Sequence, residues 1–188
     1  MSRAITITHQ LIEEGISARA HFQVWWALCN LALPKYESTM NNLGYVDFFH
    51  ASDSGHYKLF FLALSKIFDR GDSRVAGISE LKKALEAEGK VNIALRISEE
   101  LEPIEPLVKR VLAIRNRTIV HNEHSMPRRK VYKVNGITPN QIRLVIDTVC
   151  ATINRAARDQ GITNTIFESD RMERATLGML EKLDRWNA

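Results

Sequence analysis

With 188 residues the chain has the length for one domain with a sizeable core and does not ask for two. Hydrophobic residues at 45% and charged residues at 26% are the balance of a globular protein, and nine glycines with five prolines are too few for a sandwich or a loop-rich fold, so helices are expected. The net charge of +4 and a pI near 9.2 suit an acidic partner such as RNA without requiring one.

The amino terminus "MSRAITITHQLIEEG" carries no apolar core of signal-peptide length. Residues 8–33 then place Phe22, Trp25, Trp26, Cys29 and Leu33 at helical spacing and predict one long helix that Pro34 closes. After a shorter segment ending near "VDFFHAS", Asp53 or Ser54 is the expected N-cap of a helix striped by Tyr57, Phe60, Phe61, Leu64, Ile67 and Phe68. That helix stops at "DRGDSR". In "ISELKKALEAEG" Ser79 is the expected N-cap and Gly89 the C-cap, and Ile93, Ile97 and Leu101 continue a helical pattern towards Pro103 and Pro106, one of which starts the next helix.

That next helix runs into "VLAIRNRTIVHNEH", residues 111–124. Leu107, Val108, Val111, Leu112, Ile114, Thr118 and Ile119 share one face at about 100° per residue, and Arg115 points along the centre of it, while Arg117 lies nearly opposite. The pattern breaks in "HNEHSMPRRKVYKVNGITP", where Val131, Tyr132, Lys133 and Val134 before Asn135 and Gly136 read either as a short hairpin or as a loop. Ile142, Val145, Ile146, Val149 and Ile153 then mark another helix with Thr138 as N-cap and Gly161 as stop, and Met172, Ala175, Met179, Leu183 and Trp186 mark a last one over 168–186.

No repeat, linker or low-complexity tract interrupts this order, and the sum is one all-α domain over 1–188, a bundle of four or more long helices with one irregular or hairpin insertion. Cys29 and Cys150 are too few for a disulfide framework or a zinc site and sit among apolar residues, as small thiols do in a reducing compartment. No apolar run approaches the roughly eighteen residues of a membrane span. The expectation is a cytoplasmic protein with no membrane partner, metal or cofactor.

Arginine and histidine together can cleave RNA without a metal: an imidazole removes the proton of a ribose 2′-hydroxyl and a guanidinium binds the phosphorane that forms. A persisting helix would put His121 about 240° round from Arg115, so the two share a site only if the helix ends between them or a second chain contributes. Bland readings stand beside this one. Arg115 pairs with a carboxylate such as Asp69 or Glu105, and His121 caps the end of its helix.

"RNRTIVH" resembles the R-x(4 to 6)-H signature of the HEPN superfamily, with the polar Asn116 directly after the arginine. Upstream, "FLALSKIFDRGDSRVAGISELKKAL" is similar to the "L-x-x-L-F-D-R…S-L-x-x-L" block of the HEPN branch found in AbiU-type abortive-infection proteins. Together the two blocks carry the resemblance over roughly residues 8–160. It implies a bundle that forms a homodimer about a twofold axis, with two motifs in one cleft: Arg115 meets a phosphate, Asn116 orients or binds it, and His121 is catalytic base or acid, the second copy supplying the other imidazole.

The activity so implied is a metal-independent endoribonuclease of a phage-defence or toxin–antitoxin system, partnered by an antitoxin or nucleotidyltransferase. The alternatives are a non-catalytic HEPN module that binds a nucleotide, RNA or protein, and a helical bundle with no nucleic-acid role. Asp69 and Arg70 of the "FDR" block read as structural, and His124 as a surface histidine. Departures from the family pattern are the basic "PRRKVYK" stretch and the last helix. In that stretch Arg128, Arg129, Lys130 and Lys133 with Tyr132 read either as a basic lip for RNA or as a solvated loop.

Overall fold

The computed structural model describes residues 2–68, 76–116, 136–166 and 169–187. Helix α1 (Arg3–Trp26) starts earlier than the sequence pattern suggests, because Ser2 caps it with a hydroxyl that accepts the Ile5 N–H at 3.3 Å, and Glu88 accepts the Ala4 N–H at 3.0 Å. Ala4, Ile7 and Leu11 extend its buried stripe back to that cap. At the other end the helix does not stop at Pro34. It widens into a π turn (Ala27–Leu31), in which Ala32 N–H reaches back to Ala27 C=O at 2.8 Å, and α2 (Leu33–Met40) follows with Pro34 in its first turn. A proline in a first turn lacks only an N–H that has no helical partner there, so it opens α2 as readily as it closes α1.

Helix α3 (Val46–Ile67) also begins earlier than expected. The tight turn at Asn42, whose carbonyl accepts from Tyr45 and Val46, starts it, and burial of Phe49 fixes its first turns. Asp53 is therefore mid-helix and caps nothing. Helices α1 and α3 pack along most of their length through Phe22, Trp25, Tyr57, Phe60 and Phe61, with Phe60 and Phe61 centroids 4.5 Å apart and Phe22 edge-on to Phe60 at 5.6 Å.

Helix α4 (Ile78–Ala87) is capped at Gly77, two residues before the predicted Ser79, since Ile78 is already buried; α5 (Val91–Leu101) leads through a 3-10 turn (Glu102–Ile104) into α6 (Glu105–Arg115), with Pro106 in its first turn as the sequence allows. Helix α7 (Pro139–Asp159) opens on a reciprocal cap: Thr138 Oγ1 accepts Gln141 N–H at 3.3 Å and Gln141 Oε1 accepts Thr138 N–H at 2.9 Å. Gly89 and Gly161, both at φ +75°, end α4 and α7 in the left-handed conformation that suits helix stops, as the sequence pattern suggests.

Helix α7 lies against α1, α5 and α6, and its Val145, Val149 and Ile153 join Leu11, Phe60, Leu64, Leu85 and Val111 in the main core. The last helix, α8 (Arg171–Asn187), closes a second, smaller cluster of Val24, Leu28, Ala32, Tyr36 and Phe49 with Leu180. Polar latches fix it there. Gln23 brackets its start, donating to Ser169 C=O at 2.7 Å and accepting Met172 N–H at 3.2 Å, and the Thr39 hydroxyl donates to Asp184. Among the described residues there is no strand, and no helix is long and apolar enough to cross a membrane.

Candidate functional site

Ile104 of the 3-10 turn with Val108 and Val111 of α6 form a buried stripe, and Arg115 is its next member at i+4, half-buried, beside the fully buried Ile114. The sequence places this arginine on the apolar face, and there it lies. Its Nη1 donates to Asn116 Oδ1 at 2.8 Å, while its Nε is buried with no hydrogen-bond partner among the described residues. A buried donor left unmade costs about 1–3 kcal/mol, so the arrangement is poor for stability alone.

Glu105 is not the carboxylate that holds Arg115. It sits ten residues earlier on the same helix, about 15 Å along the axis, and makes an ion pair with Lys109 at 3.4 Å. Asp69, the other proposed partner, lies outside the described residues, as do Arg70, His121, His124, Arg128, Arg129, Lys130, Tyr132 and Lys133. Of the site residues read from the sequence, Arg115 and Asn116 are thus brought together at the end of α6. Residues 117–135, which include the basic stretch, follow Asn116 in the chain. At their far end, Gly136 C=O accepts from Arg110 Nη1 at 3.2 Å, so both flanking residues lie against the last turns of α6.

Sequence reading missed three further polar features, all made by side chains that meet across helices. His21 of α1 and His56 of α3 stand with their Nδ1 atoms 2.8 Å apart, one donating to the other. Burial depresses the pKa of both rings, and the facing His56 depresses that of His21 further. Cys29, in the π turn, donates its thiol to Asp53 Oδ1 at 2.6 Å; burial first, and then Asp53, raise its pKa far above the ordinary thiol range, so it is protonated and no nucleophile.

The third feature is a cleft of about 500 Å³ between α1 and α7, lined by Arg19, Phe22, Gln23, Arg143, Asp147 and Ser169. Arg19 donates to Asp147 at 3.0 Å, and the Arg143 guanidinium lies over the Phe22 and Trp26 rings at 5.6 and 5.5 Å. Among the described residues no three His, Cys, Asp or Glu side chains converge as ligands of a metal ion.

The family model described as AbiU2, a HEPN model, matches residues 1–164. The chain belongs to the HEPN family of AbiU2 type. The resemblance read from "RNRTIVH" and the "FDR" block is borne out, and the family relates the chain to abortive infection. The AbiU2 span takes in α1 to α7, with Arg115, Asn116 and the whole basic segment, and ends before α8. Comparison with curated proteins and with solved structures finds no match.

Proposed function

We propose that this AbiU2-type chain is a metal-independent endoribonuclease of a phage-defence or toxin–antitoxin system, acting at a composite site shared by two copies. The observation that carries the reading is Arg115, a guanidinium set on the core stripe, tied through Nη1 to Asn116 and holding a buried Nε–H without a partner among the described residues. A group kept so suits a phosphate better than it suits the core. His121 takes the proton of the ribose 2′-hydroxyl, the 2′-oxygen attacks phosphorus, and Arg115 stabilises the added negative charge. The 5′-oxygen leaves with a proton from the partner copy's imidazolium. Arg128, Arg129, Lys130 and Tyr132 then serve as a basic lip for the strand.

Purified protein incubated with labelled RNA is expected to give 2′,3′-cyclic phosphate and 5′-hydroxyl ends, in the presence of a chelator as in its absence, and to leave DNA and 2′-O-methylated RNA intact. Cutting of DNA, or loss of activity in chelator, would sink the mechanism. Light scattering is expected to give a dimer, and a monomer at micromolar concentration contradicts the shared site. The Arg19–Arg143 cleft favours a second reading, a non-catalytic module that binds a nucleotide, RNA or protein, because it offers guanidinium groups and an aromatic wall away from Arg115. Retained RNA binding without any cleavage selects that reading.

A further inference from the structure

Helix α8 lies beyond the family match, and its two faces differ in kind. The inner face is settled: Thr176 and Leu180 are buried, Glu173 holds Arg143 at 3.2 Å, and Asp184 accepts from Thr39. The outer face carries Met172, Ala175, Met179 and Trp186 in one strip, with Trp186 87% exposed. Ala175, Met179 and Trp186 of this strip, together with Tyr45 and Leu183, line an open groove of about 700 Å³.

Gly178 stands in the floor of that groove. A Cβ built there meets nothing within 4 Å, so the fold itself has no use for the glycine, which destabilises a helix interior relative to alanine. What a bare position does provide, beside the small Ala175, is close approach by another backbone, down to an interaxial distance of about 8 Å. The charges are equally one-sided. All three acids of α8 are partly buried and engaged, Glu173 with Arg143, Asp184 with Thr39 and Glu181 with Arg185 at 2.6 Å, whereas Arg171, Arg174 and Lys182 are exposed.

We infer that this groove seats an acidic amphipathic helix of a partner protein. The apolar strip takes the partner's apolar face, the floor at Gly178 lets the axes close, and the basic border takes its carboxylates. A second copy of the chain would bring the same three bases up against themselves. Neither a fluid bilayer nor a single strand of RNA makes use of a bare floor between two helix backbones.

Full-length protein is titrated with a helical peptide of roughly 20 residues, leucine at helical spacing on one face and glutamate elsewhere, and with its lysine counterpart. Trp186 fluorescence is the readout, with Trp186→Phe as control for Trp25 and Trp26. The acidic peptide is expected to bind and shift the Trp186 emission to the blue, and the lysine peptide to bind at least about tenfold more weakly. Gly178→Leu fills the floor while adding helix propensity, so it is expected to melt no lower than the parent protein and to lose at least about tenfold in affinity. Arg174→Glu with Lys182→Glu is expected to reverse the preference between the peptides, and it carries the test if Gly178→Leu does not fold. The proposal is overturned if the two peptides bind alike, or if both groove variants bind as the parent does. It is equally overturned if phosphatidylserine vesicles, poly(A) or self-association, and not the peptide, respond to these substitutions.

Discussion

The seam between α1 and α4 and the end of α6 each carry a charge on an otherwise apolar helix face, and the two are resolved in opposite ways. Glu80 is 5% exposed and receives Arg3 Nη2 at 2.9 Å and Lys83 Nζ at 2.7 Å, so its carboxylate is balanced by hydrogen-bonded cations that themselves stay in water. Arg115 gives Nη1 to its neighbour Asn116, and its Nε–H to nothing among the described residues. A buried charge that serves the fold is completed by the fold. The partnerless Nε–H of Arg115 is the donor that the proposed function gives to a phosphate.

The largest test of that contrast is catalytic. Arg115→Ala is expected to lower RNA cleavage by about a hundred- to a thousandfold, and His121→Ala by about a hundred- to ten-thousandfold. Neither change should lower the melting temperature, because a site arginine adds little to stability. If Arg115→Ala loses several kcal/mol in urea melts, the contrast with Glu80 collapses and the arginine is structural.

Stripping the other charge should do the reverse. Arg3→Ala together with Lys83→Ala leaves the Glu80 carboxylate buried without these partners and is expected to cost about 2–3 kcal/mol in urea denaturation, with cleavage unchanged. Replacing the carboxylate itself, as Glu80→Leu, is expected to be near neutral, since the two bases simply return to water.

The His21–His56 pair gives a smaller, pH-gated effect. Both rings have folded pKa values below the unfolded value of 6.5, so the unfolded chain binds more protons as pH falls. The stability that the neutral pair contributes is present above about pH 6.5 and is lost as pH drops through the lowered folded values. Single protonation keeps one Nδ1–H facing one lone pair; double protonation does not. Melts of His56→Phe between pH 7 and pH 5 are expected to be flatter than those of the parent, and an unchanged slope assigns the pH dependence elsewhere.

The smallest effect belongs to the basic segment. Arg128, Arg129 and Lys130 replaced together by glutamine are expected to reduce the salt slope of RNA binding by about 0.7 for each phosphate that is no longer neutralised. Unchanged affinity at low salt gives the segment another role.

What the sequence makes legible is local. Thr138 with Gln141, Pro106 and Gly161 mark helix ends through interactions within one turn, and each end is where the pattern places it. Arg115 is legible for the same reason, since a helix face follows from spacing alone. The pattern misleads where another element decides the outcome. Pro34 reads as a stop and opens α2, and Asp53 reads as a cap although the turn at Asn42 and the burial of Phe49 begin α3 earlier. Glu105 suits Arg115 in charge but stands across a separation no pair of side chains spans. The His21–His56 and Cys29–Asp53 hydrogen bonds depend on the register between antiparallel helices, which no spacing within either helix encodes.

The π turn at Ala27–Leu31 is, in terms of helical phase, one extra residue slipped into a continuous helix. A chain shortened by one residue there would regain α geometry and rotate everything after it by about 100°, swinging Tyr36 and Thr39 away from the seat of α8. The attachment of the terminal helix thus hangs on a single-residue indel in a helix far from it in sequence, a place where gain or loss of one codon would switch a docking surface on or off while leaving the α1–α3 core as it is.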